Sequence, residues 1–142
     1  MTSYSPSTAL HELQAQHDAL RAIMDRCDEL VAAFAAGTNT TIELTREVAR
    51  LRVAFDAHNR FEEQLLRPVL LDIDAFGSVR FERMLDEHVG EHRAMRDQLA
   101  AGTVAELHAV TTMLRAHLAA EERYFLTSRV LRDDVINVES TG

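Results

Sequence analysis

The chain contains one cysteine, so neither a disulfide framework nor a cysteine-based metal site can be built from it. Two prolines and five glycines leave few places to break a helix. No apolar run approaches the length of a membrane span. The start, Met1-Thr2-Ser3-Tyr4-Ser5-Pro6, lacks the basic region and apolar run of a secretory signal. A net charge of −8 argues against nucleic acid or an anionic membrane surface as a partner. What remains, at 27% charged and 46% hydrophobic over 142 residues, is the composition of a soluble cytoplasmic protein with one domain and one core.

The few breakers fall where helix ends are needed. Ser5-Pro6 reads as an N-cap followed by proline at the first helical position. An amphipathic segment runs from about Ser7 to Ala36 and stops at Gly37. Thr40-Thr41-Ile42-Glu43 has the form of a capping box and opens a second helix expected to end near Arg67, before Pro68. Val69 to Gly77 reads as the longest connection. Ser78 can cap a third helix to about Ala100, closed by Gly102. Thr103-Val104-Ala105-Glu106 can open a fourth, to about Thr127. No bounded strand-like alternation occurs, so the class is all-α. Short connections predict an up-down-up-down antiparallel four-helix bundle, about 7–127. The tail 128–142 offers Val130, Leu131, Val135, Ile136 and Val138 for packing as a short helix or arm.

Each helix carries a three-four apolar stripe. The first runs through Leu13, His17, Leu20 and Met24, and the second through Leu51, Phe55, His58 and Glu62. The third has Leu85, His88, His92 and Met95; the fourth has Leu114, His117, Glu121 and Tyr124. Every stripe is interrupted only by histidine or glutamate. Two histidines four apart often merely share a solvated face, but four helices making the same exception point to a shared ligand. A bare buried carboxylate would otherwise cost several kcal/mol. A turn centred near Thr38 brings His17 level with His58, and one near Ala75 brings His58 and Glu62 level with His88 and His92. A turn near Gly102 leaves His92 and His117 about five residues out of step, roughly 7.5 Å at the helical rise.

The candidate metal ligands are therefore His17, His58, Glu62, His88, His92, His117 and Glu121. Imidazole with carboxylate suits iron, zinc or manganese. Seven ligands exceed one tetrahedral zinc, so two ions fit better. Two six-coordinate irons offer twelve positions. Five imidazoles take five, two bridging glutamates four, and an oxo or hydroxo bridge two. One position stays open for dioxygen, peroxide or nitric oxide, on the metal with two histidines rather than three. At about 100° per residue, Glu121 shares the stripe of His117 while Glu122 swings off it. Glu63 and Glu122 read as outer contacts or surface charges, His11 and His108 as surface residues, and Cys27 as a small buried hydrophobe. Phe55, Phe61, Leu114 and Met95 are expected to wall the site off from water.

A single histidine, then H-x-x-x-E, H-x-x-x-H and H-x-x-x-E, each on its own helix of a small acidic bundle, resembles the hemerythrin or HHE cation-binding family. The likeness spans roughly Leu10 to Leu126, including Leu65-Leu66-Arg67-Pro68. The resemblance implies a non-haem di-iron centre. His88, His92 and His117 would serve one iron and His17 and His58 the other, bridged by Glu62 and the carboxylate after His117. Oxygen-carrying hemerythrins have an aspartate where this chain has Glu122. Many HHE relatives use a glutamate at the position of Glu121, and that departure weakens any carry-over of oxygen transport.

Three functions follow as expectations. The first is binding or sensing of dioxygen or a related small molecule, by a monomer or weak homo-oligomer. Another is a di-iron enzyme decomposing hydrogen peroxide or detoxifying nitric oxide. The last is a metal-dependent sensor or interaction module.

Overall fold

The computed structural model describes residues 5–73, 77–101, 104–124, 126 and 131. Four helices make it up: α1 (Pro6–Ala35), α2 (Thr41–Ile73), α3 (Gly77–Ala101) and α4 (Val104–Tyr124). Among the described residues there is no strand, and no helix is long and apolar enough to cross a membrane. Each helix packs on its chain neighbours, and α4 closes back on α1. Contacts between the helices run in opposite order along each neighbouring pair. His17 meets Glu122 while Asp25 meets Arg115; Glu62 meets His88 while Asn59 meets His92. The bundle is antiparallel, as the short turns require.

The start of α1 follows the sequence closely. Ser5 Oγ accepts the Thr8 N–H at 3.3 Å, and Pro6 opens the helix. At the other end, Gly37 takes φ 102°, which only glycine adopts at little cost. Thr38 N–H then donates to Ala33 carbonyl at 2.9 Å, the six-to-one bond of a Schellman stop. The start of α2 differs from expectation. Thr40 turns its hydroxyl back across the turn to donate to the Leu30 carbonyl at 2.7 Å, and Asn39 accepts the Thr41 N–H at 3.3 Å. The buried Thr40 hydroxyl must be satisfied inside the fold, and a carbonyl of the last turns of α1 is the acceptor within reach.

Two further boundaries are corrected. The second helix continues through Pro68 to Ile73 instead of ending at Arg67. A proline N lacks a hydrogen for the carbonyl four residues back, Gln64, but the bonds on either side remain, so a long helix can cross it. The expected nine-residue connection shrinks accordingly, and Ser78 lies inside α3 rather than capping it. Gly102, Thr103 and Thr127 lie outside the described residues, as does the tail 128–142 apart from Leu131.

Two apolar clusters fill the bundle. One gathers Leu20, Met24, Cys27, Leu51, Phe55, Met95, Val110, Leu114 and Leu118. The other, nearer the far end, holds Leu10, Leu13, Met84, Leu126 and Leu131. Between them lies a polar layer, and that layer is the site.

A candidate metal centre in the polar layer

Six side chains in this layer are nearly inaccessible: His17, His58, Glu62, His88, His117 and Glu121 are each 4% exposed or less. They arrive from all four helices at one height. His88 faces Glu121 and Glu91 faces His117, so α3 and α4 fold about a midpoint near residue 104. That shift from Gly102 removes the offset the sequence implied.

The two glutamates sit at the centre. Glu62 sets Oε2 3.0 Å from His58 Nε2 and Oε1 3.0 Å from His88 Nε2. Glu121 directs Oε2 towards His17 Nε2 at 3.7 Å and His58 Nε2 at 4.0 Å. Its Oε1 faces His88 Nε2 at 3.8 Å and His117 Nε2 in close contact. Two groups result, His17-His58-Glu62-Glu121 and Glu62-His88-His117-Glu121, and in each the ligand atoms lie within 4.8 Å of one another. They share both carboxylates.

The outer face of each ring is also engaged. Nδ1 of His17 lies 2.8 Å from Glu122, that of His58 2.8 Å from the Gln16 amide oxygen, that of His88 3.4 Å from Glu63 and that of His117 2.8 Å from Glu91. Each of these oxygens accepts, so the ring proton belongs on Nδ1 and the Nε2 lone pair points inward. Four Nε2 atoms and all four oxygens of Glu62 and Glu121 are buried without a hydrogen-bond partner. Lone pairs facing lone pairs in a dry layer are costly unless metal ions or protons lie between them. The donor set therefore fits metal ions.

The proton affinities express the same demand. Burial disfavours the imidazolium of His88 and His117, yet Glu121, with Glu62 or Glu91, outweighs it and pushes both rings up to about 10. His17 is raised in the same way by Glu121 and Glu122 against burial. Burial and the charge of Glu121 push Glu62 up. Glu121 itself, though buried, is held well below the usual carboxylate range by Glu62 and the surrounding rings.

His92 is placed differently. Its side chain is 30% exposed, Nδ1 lies 3.1 Å from Asp56, and Nε2 faces the Asn59 side-chain amide. It belongs to neither four-residue group. Asn59 itself is buried, with Oδ1 unpartnered. The seventh expected ligand thus stands at the rim of the layer.

Glu122, off the stripe as its angle implied, is part-exposed and bonded to His17 and Arg21. Burial works against its charge, but those two contacts hold it below the ordinary carboxylate range. Cys27 is buried, and its thiol is pushed up to about 11 chiefly by desolvation, so it is an inert packing group. His11 and His108 are exposed. Phe55 packs 5.4 Å from the His92 ring and edge-on to His117 at 6.1 Å; Met95 and Leu114 lie in the same apolar cluster, while Phe61 packs on the other. The side chain of Tyr124 lies outside the described residues. Sequence reading missed Gln16, Asp56, Asn59 and Glu91. The available signal was an oxygen-bearing side chain within three residues of a ligand, one that helical geometry can turn onto a neighbouring helix.

Fold and site together define a helical bundle with a histidine-carboxylate cation-binding layer in its core. A family profile, Hemerythrin HHE cation binding domain, matches residues 8–128, and the chain belongs to that family. No curated protein matches it, nor does any solved structure.

Proposed function

We propose that the polar layer holds two iron ions bridged by Glu62 and Glu121, and that the chain binds dioxygen or a related small molecule there. The observation that carries this reading is the division of each glutamate's two oxygens between the two histidine pairs. His17 and His58 would hold one ion and His88 and His117 the other, with His92 beside them at the rim. The bound pair would supply a centre able to change oxidation state. Neutral imidazoles keep the charge of the layer low compared with carboxylate-rich di-iron sites, which favours holding a small ligand over hard oxidation. The apolar clusters above and below exclude water.

The test is an optical spectrum of the iron-loaded, reduced protein before oxygen, with oxygen, and after its removal. A visible charge-transfer band that comes and goes is expected. A band that persists, or immediate oxidation, overturns reversible binding. Failure to take up iron overturns the metal assignment.

One observation favours an enzyme that consumes peroxide or nitric oxide instead. His92 at 30% and Asp56 at 43% exposure set a solvent-reachable histidine-carboxylate pair at the rim of the layer, where proton delivery to a substrate would need one. Steady peroxide turnover by the loaded protein, lost in His88→Ala, would establish that reading.

A further inference from the structure

Each ring of the layer is backed at Nδ1, but the backing is unequal. His88 and His117 are backed by the carboxylates of Glu63 and Glu91. Among the arginines whose side chains are described, none pairs with either. On the other side His58 is backed by the neutral amide of Gln16. His17 is backed by Glu122, but Arg21 Nη2 lies 2.7 Å from one oxygen of that carboxylate and 2.9 Å from the other, so its charge is largely cancelled. Among the described side chains, the outer groups thus bring about two negative charges to one pair of histidines and about none to the other.

We propose that Gln16 and the Arg21–Glu122 pair make the His17/His58 position the weaker of two metal positions, the one whose ion leaves first. Gln16 is a positioning residue acting through His58. The inference rests on the two-ion reading above and adds an order to it. An Nδ1–H that donates to a carboxylate makes its ring a more basic ligand than one that donates to an amide, and changing such a partner shifts metal affinity by about 10–100-fold. A nearby negative charge also attracts the cation directly, and more strongly in a buried layer than in water. Both effects act in the same direction here. The layer is therefore asymmetric although its inner donors, two histidines and two shared glutamates on each side, are the same.

The test uses the full chain loaded with cobalt(II) alone, released into excess chelator without oxygen and followed by its visible absorption. The wild-type protein is expected to hold two ions and lose them in two phases of equal amplitude. Gln16→Glu should slow the fast phase by about tenfold or more and leave the slow phase in place. Arg21→Gln, which uncovers the charge of Glu122, should slow the same phase. Glu91→Gln should instead quicken the slow phase. A gain in retention cannot come from a merely structural role for Gln16, whose substitution would only loosen the site. Two ions lost at one rate, or a fast phase that Gln16→Glu leaves unchanged or quickens, overturns the inference while the two-ion reading stands. Fewer than two cobalt ions per wild-type chain overturns both. Helical circular dichroism matched to wild type confirms that each variant is folded, and Arg21→Gln keeps the question decidable if Gln16→Glu does not fold.

Discussion

Glu62 lies 3.0 Å from His58 through one carboxylate oxygen and 3.0 Å from His88 through the other. One fully buried side chain therefore joins helices α2 and α3 and serves both halves of the layer. Without a cation it is also a buried acid beside a second one, Glu121. Glu62→Gln should then abolish uptake of at least one ion. It should leave the metal-free protein as stable as before or more stable, since burial and the charge of Glu121 already disfavour an ionised carboxylate at this position. Metal analysis and thermal melts of the metal-free forms check both halves. A large loss of metal-free stability would contradict this account.

The raised histidines set a pH dependence. His88 and His117 bind protons more tightly in the folded metal-free protein, at about 10, than in the unfolded chain, near 6.5. Their contribution to stability is complete below about 6.5 and is lost as pH rises towards about 10. Glu121, held well below its usual value, contributes in the opposite sense. Its share is present above the ordinary carboxylate range and is lost as pH falls through its lowered folded value. The metal-free melting temperature should decline from neutral to alkaline pH. Metal loading at neutral pH should release protons and remove most of that alkaline decline.

Asn59 holds the nitrogen of His92 that a metal would use. Removing that donor with Asn59→Ala frees the ring, so affinity for the ion on the His88/His117 side should rise by about tenfold, in line with other changes to a ligand's partners. Titration of the metal-free protein with cobalt(II) measures it. Weaker binding would mean that the amide orients His92 rather than withholding it.

Phe55 is fully buried, between the larger apolar cluster and the rings of His92 and His117. Phe55→Ala should cost about 3–5 kcal/mol, read by chemical denaturation. It should also hasten oxidation of a reduced iron-loaded sample, because water and oxidant reach a layer that the ring had closed.

The reading of sequence against structure divides unevenly. The Ser5 cap, the Gly37 stop and the four stripes were legible because each depends on residues a few positions apart. So were the inward placement of Glu121 and the outward placement of Glu122, a matter of rotation about a single helix. Pro68 reads as a stop from its local penalty alone, and a helix as long as α2 absorbs that penalty. The Thr40 hydroxyl was misassigned because its partner, the Leu30 carbonyl, belongs to another helix. Gln16, Glu91 and Asn59 went unseen for the same reason.

By itself the sequence determined that four amphipathic helices would form, and that each would carry histidine or glutamate into an apolar seam. Helical periodicity is a local property, and polar groups on such a seam must find a common partner. Only the tertiary structure decided how the helices slide, with α3 and α4 folding about residue 104 so that His88 meets Glu121. It also decided which nitrogen of each ring points inward and that His92 stays at the rim. Those outcomes turn on shifts of a few ångströms and on oxygens supplied by neighbouring helices, which no single helix encodes.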